Sequence, residues 1–347
     1  MLSHARTSRP QHPASQLRSQ FDQPAAPPDS FRQDARQDRK LAIVPAPTGR
    51  PPCAPAGLRL PFRAPARRAV REAGAVTPIK VPVSDISFQC TECGNCCKDL
   101  RLPVTPAEAR TWLERGGRVD VLCEALPWPA EPESGNVFAE YKRRRSFAAD
   151  SGTLPVRIDV TLAASFSGPC PNLGDDLRCR AYDTRPLVCR VYPAEINPFI
   201  ELRPENKGCP PEAWRPGTAP LLAGGTIVDA TTREAAERSR VEQELAVPAK
   251  QAICAALGID RASVANEGFL ILSPEPADLL AALCALPQAP QAPEPAPGEG
   301  AAPRGWTLVS NRQQTIDVLG QVGALGELDR APQGEHAYLY IGMHAAS

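Results

Sequence analysis

The chain has 347 residues, 40 of them proline, with only 5% aromatic residues and a formal net charge of zero. Such a composition excludes one packed domain running the whole length, so the folded part is smaller than the chain. Charge is uneven, with 14 Lys/Arg against 5 Asp/Glu in residues 1–80 and 25 against 34 in the remainder.

Residues 1–80 contain 13 prolines and show neither a helical nor a strand period, which predicts a disordered Pro/Arg-rich tail. A basic tail attracts nucleic acid or anionic lipid, but this one lacks an aromatic stacking pattern, so neither is expected as a partner. The start has no apolar signal region, and no apolar run reaches the roughly 18 residues a membrane span needs. A cytoplasmic protein that does not enter the membrane is therefore expected.

Order is predicted to begin near Ile79, in a short strand leading to Phe88. Thr105-Pro106-Ala107-Glu108 is a helix start, with Thr105 as cap, Pro106 at the first helical position and Glu108 closing a capping box. Gly116-Gly117 ends that helix. Residues 156–162 alternate apolar and polar, the pattern of a half-buried strand. A short helix follows, capped by Asp183 or Thr184. Thr231 and Glu234 predict a second capping box and a helix to about Ala246; Pro248 interrupts it, and a further helix runs to Gly258. Ser273 to Leu286 reads as another helix. Residues 287–304, with six prolines, read as a Pro/Ala-rich linker. Beyond it come a strand at 306–309, a helix near 315–322 and a strand at 338–341.

Twelve cysteines occur, and eight fall into two groups: Cys90, Cys93, Cys96 and Cys97, then Cys170, Cys179, Cys189 and Cys209. Two residues between cysteines allow a tight turn to aim both sulfurs at one metal, and Gly94 supplies the positive-φ freedom of such a knuckle. Backbone N–H groups in the turn favour thiolate over thiol. The histidines, His4, His12, His336 and His344, all lie far from the cluster, which excludes mixed Cys/His fingers and the metalloprotease helix motif. An all-sulfur donor set suits zinc, iron or an iron–sulfur cluster. Cys90, Cys93 and Cys96 reproduce three corners of the ferredoxin run, without a nearby fourth. Adjacent side chains in extended backbone point apart, so Cys96 and Cys97 are expected either to serve different sites or to include one non-ligand. Cys123, Cys254 and Cys284 stand among apolar residues at helical spacing and read as buried thiols. Cys53 lies in the tail.

The cysteines carry a family pattern. Phe88-x-Cys90-x-x-Cys93-Gly94-x-Cys96-Cys97 is followed by Gly168-Pro169-Cys170-Pro171-x-Leu173, by Cys179-x-x-Tyr182, and by Arg185-Pro186-x-x-Cys189-Arg190-x-Tyr192-Pro193. Over residues 86–211 this resembles the YkgJ-type cysteine-cluster family, and the resemblance implies chelation of zinc or iron. The motif is also similar to that of the flagellin lysine N-methylases. Tyr192 stands where that pattern more often has Phe. Arg185 and Arg190 are candidates either to neutralise thiolate charge or to make helix-end contacts, and Tyr182 and Tyr192 to pack over the cluster.

These signals predict an α+β fold: a small irregular metal-stabilised cysteine-cluster domain with a helical supplement. Its expected parts are the tail (1–80), the cysteine-cluster domain (81–211), a helical extension (212–286), the linker (287–304) and a small strand–helix–strand segment (305–347). The leading function is chelation of zinc, iron or an iron–sulfur cluster by the eight clustered cysteines, in a structural or redox role. The alternatives are a cluster-dependent enzyme like a protein lysine methyltransferase, and a zinc-stabilised interaction module. Gly224-Gly225 is the nearest approach to a nucleotide-binding turn and reads as a plain turn. Neither a catalytic base or nucleophile outside the cysteines nor a protein partner is identifiable.

Overall fold

The computed structural model describes residues 85–286, 305–329 and 338–344. The predicted tail, the Ile79 strand, Cys53 and the 287–304 linker lie outside them.

Helices and sheets are mixed, as the α+β expectation has it. The longest strand, β5 (Leu154–Pro169), is the alternating segment recognised from sequence. Val156, Ile158, Val160 and Leu162 are buried on one face, while the residues between them are half-buried. β5 pairs antiparallel along its length with β3 (Arg118–Pro127). Its other edge takes β2 (Lys98–Val104) and β4 (Ser146–Ser151). On the far side of β3 lie β8 (Arg261–Val264), parallel, and β9 (Gly268–Leu272), antiparallel. β10 (Thr307–Ser310) runs parallel to β8, and β11 (Gly326–Leu328) parallel to β10. β12 (Tyr338–Gly342) pairs with β9. Residues before 170 and after 260 thus share one nine-stranded sheet.

Four helices contribute to the main core beside this sheet: α1 (Pro106–Glu114), α5 (Val247–Ala256), α6 (Pro276–Ala285) and α7 (Gln313–Gln321). Val119, Val121, Cys123 and Ala125 of β3 meet Trp112, Ile253, Leu279 and Leu319 there. Leu122, Ala163 and Ile271 form a smaller apolar cluster, as alternation along the strands requires. A second lobe holds β1 (Ile86–Ser87), β6 (Pro220–Ala223) and β7 (Thr226–Ile227) with α3 (Leu187–Val191) and α4 (Ala230–Leu245). Its core is Val191, Leu202, Leu221, Leu222 and Ala236. α2 (Val137–Arg145) packs near β4 and β5.

Several local readings change. Residues 212–286, expected to be helical, also carry β6 to β9; β6 and β7 form a local hairpin, while β6 also pairs with β1, and β8 and β9 pair with strands far away in sequence. α4 is capped by Asp229, which accepts from Thr232 N at 2.8 Å, and not by Thr231. α3 begins after Pro186 without a side-chain cap, because residues 182–184 form a separate 3-10 turn. Ser273 stays outside α6, and its hydroxyl donates to Asp120 instead. Gly224 and Gly225, both at positive φ, join β6 to β7 as a plain hairpin turn. Cys123 and Cys254 are buried as expected, but Cys284 is exposed and disulfide-bonded. α6 turns Leu279, Ala282 and Leu283 inward, which leaves the following position facing out.

Candidate metal centre

Four chain segments carry the eight cysteines. Residues 85–97 lead from β1 to β2, and their knuckle needs unusual backbone: Gly94 has φ 70° and Glu92 φ 55°. A Cβ on Gly94 would stand 3.4 Å from Leu177 Cδ2, so glycine serves both the turn and the close approach. Leu177 and Asp99 are also left-handed, so three of the four positive-φ non-glycine residues among the described residues lie between Cys90 and Cys209. Strain of that kind, on the order of 1–3 kcal/mol per residue, persists only where neighbours impose it. Here Arg178 pairs with Glu92 at 2.9 Å, and Asp99 accepts from Gly168 N at 2.6 Å.

The second segment starts where β5 ends. Cys170 N donates to Cys97 O at 2.7 Å, placing these cysteines across the β2–β5 ladder from each other. The chain then folds back on itself: Leu173 bridges Cys179, and Arg180 N donates to Asn172 O at 2.7 Å. Cys189 rides on α3. That helix is tied to the main body by Glu108, whose Oε1 accepts from Leu187 N at 2.8 Å while Oε2 accepts from Thr105 N at 2.9 Å. The capping box of α1 was legible in sequence; its second task was not, because Leu187 is 79 residues away. Cys209 is held against the first knuckle, with Asn95 Nδ2 donating to Gly208 O at 3.1 Å and Gln89 N to Ala213 O at 2.8 Å.

All eight are free thiols; Cys90 is exposed and the other seven are half-buried. Cys96 and Cys97 do not point apart. Residues 95–97 form a 3-10 turn instead of extended chain, and the two Sγ atoms stand 3.9 Å from each other. The neighbouring Cys97 and then burial push the Cys96 thiol up, while contact with Cys96 lowers Cys97. Cys189 is pushed up to about 12, by burial first and then by the negative potential of Cys170, Cys96 and Cys179. Burial also raises Cys170 and Cys209. Crowded thiols resist ionising together without a cation among them.

The flanking residues divide in role. Arg185 acts electrostatically on Cys96 and Cys189, and its Nε is buried without a hydrogen-bond partner. Arg190 instead donates to the carbonyls of Arg185 (3.0 Å) and Asp183 (2.7 Å), clamping the turn. Tyr192 accepts from Gly208 N at 3.1 Å and its hydroxyl is 3.7 Å from Cys209 Sγ. Tyr182 is exposed, stacked with the Arg185 guanidinium at 3.9 Å, and does not cover the thiols.

No three His, Cys, Asp or Glu side chains among the described residues are already arranged to hold a metal ion. The donor chemistry fits a soft cation: eight thiols, with the half-buried Arg185 beside them, its Nε enclosed. No helix among the described residues is long and apolar enough to cross a membrane. No curated protein and no solved structure matches the chain. Residues 89–210 match the model of the cysteine-cluster family CxxCxxCC, whose description reads "Putative zinc- or iron-chelating domain".

Proposed function

We propose that Cys90, Cys93, Cys96, Cys97, Cys170, Cys179, Cys189 and Cys209 chelate zinc or iron, and that the metal locks the four cysteine-bearing segments together. The observation that carries this reading is the convergence of eight free thiols under backbone ties that join residues far apart in sequence. Four thiolates around zinc leave no open position, which suits a structural role, whereas iron–sulfur ligation would add redox chemistry.

Metal and acid-labile sulfide analysis of anaerobically purified protein tests the reading. Zinc, or iron with or without sulfide, is expected; protein free of both, and unable to take up either, would sink it. Cys93→Ser is expected to lose bound metal and lower the melting temperature. Unchanged metal content with an unchanged melting curve would count against Cys93 as a ligand.

Chelation gives a further check. In loaded protein the eight thiols should resist a chromogenic thiol reagent, and a strong chelator should release them all. Cys123 and Cys254, each 1% exposed, should stay unreactive until the protein unfolds. Equal reactivity of the eight before and after chelation would contradict metal ligation.

A further inference from the structure

We propose that a cavity at the carboxyl ends of β3 and β8 binds a small uncharged molecule, built of a flat apolar ring and a hydrogen-bond acceptor such as a carbonyl. The described lining residues include none of the eight clustered cysteines, so the site is separate from the chelation reading above.

Sheet topology makes the cavity. β3 and β8 are parallel neighbours, with Glu124 opposite Ser263 and Ala125 opposite Val264. The chain leaves β3 toward β5 on one side, while the next strand parallel to β8 is β10, on the other. Diverging connections of this kind open a crevice beyond the strand ends, where α/β sheets take their ligands. Here the crevice holds about 500 Å³, a volume usual for small-molecule sites. Trp128, just past β3, and Ala265 and Asn266, just past β8, line it together with Phe138 and Lys142 of α2.

Its aromatic walls are already fixed. Trp128 N donates to Pro155 O at 2.8 Å, and the Arg143 and Arg157 guanidiniums stand 5.9 and 5.7 Å from the centre of its ring. Phe138 meets Phe199 edge-on, with ring centroids 5.2 Å apart. Walls held in this way lose little freedom on binding.

The lining chemistry names the ligand class. Trp128 and Phe138, with Leu126, Pro127, Pro129 and Pro132, offer apolar surface to a flat hydrocarbon body. Trp128 Nε1 is enclosed without a hydrogen-bond partner and calls for an acceptor. Charge is not called for. The charged lining residues are Lys142 and Glu133. Lys142 donates to Glu124 at 2.8 Å and has Asp159 at 3.9 Å, so its charge is met twice. Glu133 is exposed and would repel a carboxylate. Beside Trp128, Arg143 is paired with Glu131, and Arg157 donates to Ser146 Oγ and Arg143 O. A charged ligand would give up hydration without meeting a free counter-charge.

The test is NMR of the indole N–H signals of isotope-labelled full-length protein, with Trp128→Phe identifying the Trp128 signal. Benzamide is the neutral probe; benzoate and benzylamine are charged probes of the same size. Benzamide is expected to move the Trp128 signal to saturation with Kd on the order of 1 mM, and the charged probes to bind at least about tenfold more weakly. Ala130→Leu, at an exposed lining position, should weaken benzamide about tenfold and leave the other indole signals in place. If those signals shift, Ser134→Phe, also exposed in the lining, replaces it. A Trp128 signal that benzamide leaves unmoved, or that responds equally in the filled variant, overturns the site. Tighter binding of benzoate or benzylamine overturns the assignment of an uncharged ligand.

Discussion

Glu108→Ala is expected to destabilise the protein by about 3 kcal/mol, combining a lost helix cap with a buried donor left without its acceptor. Each carboxylate oxygen of Glu108 serves a different helix: one accepts from Thr105 N in the capping box of α1, the other from Leu187 N at the start of α3. Thr105 and Leu187 are 4% and 6% exposed, so water does not readily replace the lost acceptor. Glu108→Gln keeps one acceptor oxygen and should recover about half the loss, while Thr105→Ala removes only the cap and should cost about 1 kcal/mol. Urea unfolding of metal-free protein measures all three. Equal losses for the Ala and Gln variants would refute the two-acceptor account. Because α3 carries Cys189, Glu108→Ala should also weaken Zn²⁺ binding more than Thr105→Ala does.

Lys250→Met is expected to stabilise the protein by about 2 kcal/mol at pH 7. Lys250 is 1% exposed on α5, and its Nζ donates to Gln243 Oε1 at 2.6 Å. Burial lowers its pKa from 10.5 to about 8, although Asp159 and Cys254 pull it back up. At pH 7 the amine is still charged, and holding that charge in the core costs about 3 kcal/mol at 1.36 kcal/mol per unit. Methionine removes the cost but leaves the Gln243 oxygen without its donor, which takes back about 1 kcal/mol. The sign with pH follows from linkage. Between about pH 8 and 10.5 the unfolded chain binds a proton that the folded one does not, so wild-type stability rises relative to the Met variant across that window. Below pH 8 the difference is flat. Chemical unfolding of both proteins from pH 7 to 10.5 decides it, since other titrating groups cancel in the difference. A destabilised Met variant, or a difference constant over that window, would show that the Lys250 charge is well accommodated.

The sequence by itself determined the chemistry and several local elements. The eight cysteines and their spacing, the β5 alternation, the α1 capping box and the break at Pro248 are read from neighbours within a few residues, where propensity, period and capping operate. Short-range signals also misled where a competing local contact won. Asp229 displaced Thr231 as a cap, and the 3-10 turn at 95–97 brought together two sulfurs that extended chain would have parted. Only the tertiary structure decided that strands from both ends of the described residues share one sheet, because the parallel ladders of β3, β8, β10 and β11 join residues with no local sequence signature. It also decided what surrounds each thiol. Glu108 meets Leu187, Asn95 meets Gly208 and Cys170 meets Cys97 through hydrogen bonds spanning 73 to 113 residues. A spacing motif specifies which sulfurs are close along the chain; which of them face each other depends on the elements that carry them.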